Sequence, residues 1–255
     1  MRINHQVYKL TLIAVVQYLC LVVASVGQEL PAAQAEVVKW VAQSGGTFRR
    51  ALRPATRPVV HVDLNHRAVV DADLARLEVL VDLESICLVD TRLRGEGLQS
   101  LSKLPRLKFL HVGGSQFDAQ HLKIVASFPA LKQLALIGPS ITSDSLAAIE
   151  KLPLTYLAIR DSAIDDKACA SIATLSDLQL LNLWRSKITG AGLEQLAPLK
   201  KLLTLYVDDT AITDDYLKSF LQFPQLRKVG VRGTRLTPAG VAWLKNSSHR
   251  LHVLD

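Results

Sequence analysis

Residues 205–220 read LYVDDTAITDDYLKSF. Four aspartates, Asp208, Asp209, Asp214 and Asp215, fall within eight positions, so a metal site or an acid–base pair is one reading. Residues 181–196 read LNLWRSKITGAGLEQL, residues 134–149 LALIGPSITSDSLAAI, and residues 110–125 LHVGGSQFDAQHLKIV. In all four segments the apolar residues keep their places while the acids come and go. What recurs is a buried framework, and self-similarity at a fixed period marks a repeat architecture.

Eight units follow one template, 24 residues long except the fifth, which has 23. They begin near Arg57, Val81, Pro105, Pro129, Pro153, Ser176, Lys200 and Pro224. Each opens on a triplet of the form L-x-x-L-x-L, from Val59/Val62/Leu64 in the first to Leu226/Val229/Val231 in the last. Alternation at the last two positions is the period of a strand that sends those side chains to one face. The second half of each unit switches to spacing near three, as in Ile188, Leu193, Leu196 and Leu199, or Ile212, Leu217, Phe220 and Phe223. That pattern fills one face of a two- to three-turn helix. Asp118, Thr142, Asp165, Thr189, Thr213 and Thr237 stand where an N-cap is needed, and Pro238 fits the first helical position. Arg94 is a poor cap. No unit buries its apolar side alone, so the units must stack in parallel around a continuous core.

The consensus L-x-x-L-x-L-x-x-T-x-I-T-D-x-x-L-x-x-L resembles a leucine-rich repeat. The Thr/Ser after the strand (Thr91, Ser115, Ser162, Ser186, Thr210, Thr234) is similar to the variant in bacterial leucine-rich-repeat proteins, internalin-like ones among them. Proteins with cysteine-containing repeats place Cys there. The resemblance implies an α/β fold, a right-handed leucine-rich-repeat solenoid with a parallel sheet on the concave face and short helices on the convex face. It also implies that the Thr/Ser side chains bond loop backbone of neighbouring units. Pro139 and Arg67 interrupt this ladder.

Three parts are expected: residues 1–27 as signal peptide or N-terminal membrane anchor, 28–56 as capping helix and linker, and 57–255 as the repeat domain. Arg2 and Lys9 precede an apolar run from Leu10 to Gly27, the pattern of a secretory signal, and its length approaches the roughly 20 residues of a bilayer span. Export to the periplasm or beyond, with an optional membrane tether through residues 10–27, follows. Residues 32–45 read as a helix with Val37, Val38 and Val41 inward, and Leu251 and Leu254 begin a ninth strand. Net charge is +7, spread along the chain, and a nucleic-acid interface would need a basic stripe on one face. Cys87 on a strand and Cys169 on a helix are too far apart for a disulfide.

In this register Asp214 and Asp215 occupy the first turn after Thr213, where negative charge offsets the helix dipole, and Asp144 and Asp166 recur there. Neither the spacing of a calcium-binding hand nor that of a calcium roll is present. His61 and His111 lie two units apart, too far to share zinc. No cofactor, no metal and no catalytic group is expected. Outward strand residues of units five to seven stand out: Tyr156, Arg160 and Asp161; Asn182, Trp184 and Arg185; Tyr206, Asp208 and Asp209. Aromatics flanked by Arg and Asp have the composition of a binding hot spot, and the same residues could instead shield the sheet. Phe109 and His111 form a second patch. The expected function is a non-enzymatic module that recognises a protein or glycan on its concave face, as a monomer. The alternative is a structural subunit of an envelope assembly that associates through its open edge. A ubiquitin-ligase-type adaptor ranks below both, because no F-box is read in the sequence.

Overall fold

The structure, a computed structural model, describes residues 29–53, 57–114, 117–247 and 251–255. The apolar run at 10–27 lies outside the described residues, as does Ser115 of the ladder. No described helix is long and apolar enough to cross a membrane.

Each repeat triplet builds one strand of a single ten-stranded sheet in sequential order. The strands are β1 (Thr47–Arg50), β2 (Val59–Asp63), β3 (Ser85–Val89), β4 (Phe109–Gly113) and β5 (Gln133–Ile137). They continue with β6 (Tyr156–Arg160), β7 (Leu180–Asn182), β8 (Thr204–Tyr206), β9 (Lys228–Gly230) and β10 (His252–Leu254). From β2 to β10 every pairing is parallel and in register with the repeat, so Ser85 faces Phe109 and Phe109 faces Gln133. β1 departs from this pattern. It pairs antiparallel with β2, placing Phe48 opposite Val62 and Arg49 opposite His61. TFRR carries no leucine triplet, so the repeat pattern is blind to it. Only eight residues separate β1 from β2, a spacing short enough to permit the antiparallel sense.

All eight triplets are buried, the most accessible member being Leu226 at 7%. The core continues through Ile188, Leu193, Leu196 and Leu199, and through Phe117, Phe128, Phe220 and Phe223 beneath the helices. Each such side chain contributes roughly 1.5–3 kcal/mol on burial. Ahead of the repeats, α1 (Ala32–Gln43) lays Val37 and Val41 on the end of this core, with Val38 half-buried beside them.

The helical half of each rung is tighter than expected. Asp71–Val79, Ser143–Ile149 and Asp214–Gln222 are 3-10 helices, and the α-helices at Leu98–Leu101, Ala119–Val125, Ala168–Ala173 and Gly190–Gln195 are short. An apolar spacing of three is the 3-10 repeat, whose larger rise closes the rung with fewer residues. Only Pro238–Asn246 reaches nine residues among the α-helices of the repeats.

Two details of the turns differ from expectation. Four of the ladder hydroxyls bond within their own rung, Thr91 to Leu88 O, Ser186 to Leu183 O, Thr210 to Val207 O and Thr234 to Val231 O, at 2.6–3.0 Å, whereas Ser162 Oγ is buried without a partner. Short hydroxyl side chains reach the carbonyl three residues back more readily than the next rung. Where Pro139 interrupts the ladder, Ser140 does reach back a rung, donating to Phe117 O at 2.6 Å. Among the caps, Asp118, Thr189 and Thr237 accept backbone N–H bonds at their helix starts, while Thr142 and Thr213 do not. Immediately before the ladder position, each rung turns through a left-handed residue. These are His66, Asp90, Gly114, Gly138, Asp161, Arg185, Asp209 and Gly233, all with positive φ.

Candidate functional site

The sheet face carries side chains in columns set by the parallel register. One column runs Ser85, Phe109, Gln133, Tyr156, Leu180, Thr204, Lys228. The next runs Asp63, Cys87, His111, Ala135, Ala158, Asn182, Tyr206, Gly230. The nine residues singled out in the sequence therefore do not form one patch. Eight of them divide into three groups, and Tyr206 stands apart.

The first group is built around Trp184. Its indole N–H donates to Asp209 Oδ2 at 2.8 Å. The Arg185 guanidinium lies 4.4 Å from the ring centroid and that of Arg160 lies 5.7 Å away. Arg185 in turn spans two acids, 3.4 Å from Asp161 and 3.5 Å from Asp209. Each interaction fixes the ring, and a cation over an indole contributes about 0.5–1 kcal/mol at such a surface. The result is an aromatic anchor held in one orientation before anything binds. Asp161, Arg185 and Asp209 reach this place because the left-handed turn after each strand turns them onto the rim.

The second group is the pair Asn182 and Asp208, which sequence composition alone counted as surface. Both are buried, at 9% and 6% exposure. Asn182 Oδ1 accepts the Trp184 backbone N–H at 3.0 Å, and Asp208 Oδ1 accepts the Arg232 N–H of the next rung at 3.1 Å. Burial pushes the Asp208 carboxyl up, against the backbone bond that favours its charge. These two side chains position the turns rather than offer atoms to a partner.

The third group joins Tyr156 to the patch at Phe109 and His111. The Phe109 and Tyr156 rings meet edge to face at 6.3 Å, and Phe109 lies 6.2 Å from His111. Burial holds the Tyr156 phenol up and carries the His111 imidazole down to about 3. Tyr206 stands apart, next to Asn182 in the second column, with the Lys228 ammonium 5.6 Å from its ring.

Arg160 connects the Trp184 group to the Tyr156 group. Burial lowers its affinity for its proton, and Tyr156 and Asp161 offset this in turn. Among the described residues it forms no ion pair, and its Nε is buried without a hydrogen-bond partner. A cation held among aromatics with no carboxylate in ion-pair contact is an electrostatic feature that sequence position could not reveal.

Two further histidines have local partners. His121 Nδ1 accepts the Asp118 N–H at 3.1 Å, completing a capping box, and His66 sits 3.2 Å from Asp90. Cys87 and Cys169 are both buried thiols outside any disulfide, and burial raises the Cys169 thiol to about 12.

No protein-family model and no curated protein matches the sequence. Solved structures do. An internalin C2 from Listeria monocytogenes superposes with a TM-score of 0.56 at 21% identity, covering 91% of this chain and 99% of its own. An internalin F from the same organism superposes at 0.52 with 20% identity over 71% of this chain, which spans half of that protein's length. These likenesses establish the fold as a leucine-rich-repeat solenoid of the bacterial kind.

Proposed function

We propose that this leucine-rich-repeat chain is a non-enzymatic binding module whose sheet face takes a protein partner. The observation that carries the reading is Trp184, locked by Asp209 and Arg185 beside the unpaired cation of Arg160. A rigid aromatic loses little conformational freedom on binding, which is why such side chains dominate interface energetics. The partner places an apolar side chain against Trp184 and a carboxylate against Arg160. A folded protein or peptide supplies both groups together more readily than a neutral glycan. Tyr206, Tyr156 and Phe109 extend the same face. Repeat arrays are suited to this role because adjacent rungs present a broad, stiff surface.

In this reading the chain works outside the cytoplasm, delivered by residues 10–27 as a cleaved signal or a tether, and acts as a monomer. Mass spectrometry of the N-terminus of the mature protein separates the two forms of delivery.

The test of binding is capture from native envelope extract with the wild-type chain beside Trp184→Ala/Tyr206→Ala and Arg160→Gln. The reading requires a partner retained by wild type and lost by both variants while their melting is unchanged. Equal capture by all three chains contradicts it. Turnover of a substrate by the purified chain would contradict the non-enzymatic part.

A further inference from the structure

At the other end of the sheet face, the first two rungs bring together three groups that the sequence keeps 26 residues apart. A ring nitrogen of His61, a carboxylate oxygen of Asp63 and Cys87 Sγ all lie within 4.8 Å of one another. His61 and Asp63 are alternate residues of β2, so both project to the same face, and Cys87 is the register partner of Asp63 on β3. We propose that His61, Asp63 and Cys87 form a binding site for a zinc-class divalent metal ion, with the fourth position left to solvent.

Two observations support the site independently of the clustering. First, His61 is only 6% exposed, and its Nε2 has no hydrogen-bond partner. A buried, unpaired ring nitrogen is costly, and a metal ion removes that cost. Second, the other ring nitrogen, Nδ1, is 3.0 Å from Ser85 Oγ. A proton on Nδ1 donated to that hydroxyl leaves Nε2 with its lone pair, the arrangement that fixes the tautomer and ring orientation of metal-bound histidines.

Nitrogen, thiolate and carboxylate suit zinc, a borderline-soft ion, and exclude calcium or magnesium, which take oxygen. Ligand bonds near 2.0–2.3 Å require the three atoms to close from their present span, a movement within side-chain reach. On binding, the Cys87 thiol loses its proton to solvent and the sulfur bonds the metal, so one proton is released per ion. The Arg49 guanidinium, paired with His61 across β1 and β2, opposes the incoming cation, and the Asp63 carboxylate and the new thiolate offset it. A comparison of histidine with histidine misses this site, because the second strand contributes a cysteine one rung away.

The test is titration of the chelator-treated full-length chain with Co²⁺, followed by displacement with Zn²⁺. The expected result is one Co²⁺ per chain, a thiolate-to-cobalt charge-transfer band in the near ultraviolet, and a melting temperature raised by Zn²⁺. Cys87→Ser abolishes the band, and His61→Gln and Asp63→Asn each weaken Co²⁺ binding about tenfold or more. Absence of the band in the wild-type chain overturns the proposal and needs no variant to fold. Persistence of the band in Cys87→Ser, whose folding is checked by its metal-free melting, also overturns it.

Discussion

Thr237 sends both of its donors to one carboxylate of the preceding rung: its N–H reaches Asp214 Oδ1 at 2.9 Å and its hydroxyl Asp214 Oδ2 at 2.5 Å. Thr189 does the same with Asp166, at 2.7 and 2.6 Å. Asp71 serves the unit whose cap position holds Arg94, accepting the N–H groups of Arg94, Gly95 and Gly97. At the fourth junction Ser143 and Asp165 exchange the roles, joined at 2.6 Å. An acid in the first turn of one helix, or for Asp166 just before it, thus caps the next, so these aspartates staple rung to rung. The local helix dipole, which the sequence suggests, is the smaller part of their role.

Removing the staple should loosen the stack where it sits. Asp214→Ala and Asp166→Ala are each expected to cost about 1–2 kcal/mol, the range for a lost cap. Asp144→Ala, one position further into its helix, should change stability by less than about 0.5 kcal/mol. Urea midpoints of the three variants distinguish a staple from a general dipole effect, which would make all three alike.

The staple also explains two glycines. A Cβ on Gly240 would stand 2.1 Å from Asp214 Oδ1, and one on Gly192 would stand 2.3 Å from Asp166 Oδ1. Gly240→Ala should destabilise by about 1–3 kcal/mol, as overpacking does. The double variant Asp214→Ala/Gly240→Ala should lose less than the two single costs added together, because the clash disappears with the carboxylate. Strict additivity in a double-mutant cycle would contradict the direct contact.

Much of this molecule is legible in its sequence, and the reason is the period. Leucines at fixed places specify strands, their parallel stacking and the buried face, because a rung has no other way to cover them. What escapes the sequence is whatever depends on a residue one rung away. Asp214 looks like a dipole partner until Thr237 is placed beside it. Asn182 and Asp208 look like surface until the turns close over them. Tyr156 and Tyr206, both outward, fall in different columns because one stands two places further along its strand. β1 carries no repeat signal, and its antiparallel pairing follows from the short chain that separates it from β2.

Acid should destabilise the fold through the half-buried His111 of the sheet face. Burial, reinforced by Arg160 and His66, brings His111 down to about 3 from an ordinary value of 6.5. Above pH 6.5 folded and unfolded chains carry the same proton count at this ring, and its contribution is complete. As pH falls from 6.5 toward 3 the unfolded chain takes up a proton that the folded ring refuses. Stability then declines by about 1.36 kcal/mol per pH unit for this group. His111→Gln should flatten the wild-type decline between pH 6.5 and 5, a range read from urea midpoints. An unchanged slope would mean that the imidazole is already protonated in the folded chain.

The rim turns make a further distinction. Arg185 adopts φ of 55°, a conformation that β-branched residues strongly disfavour. Arg185→Gly should stay within about 1 kcal/mol of wild type, while Arg185→Val should cost clearly more. Both should weaken partner capture, since both release the stack on Trp184. Thermal melts beside capture yields separate the backbone effect from the binding effect.

The most direct measurement of the central claim is site-specific photo-crosslinking to the captured partner. A photoreactive residue replaces Thr204 on the sheet face, Lys123 on the helix face, or His252 on the last strand. The account predicts adducts from position 204 alone, lost when Trp184→Ala is added. Adducts from position 123 or 252, with none from 204, would show that the partner sits elsewhere on the solenoid and would contradict it.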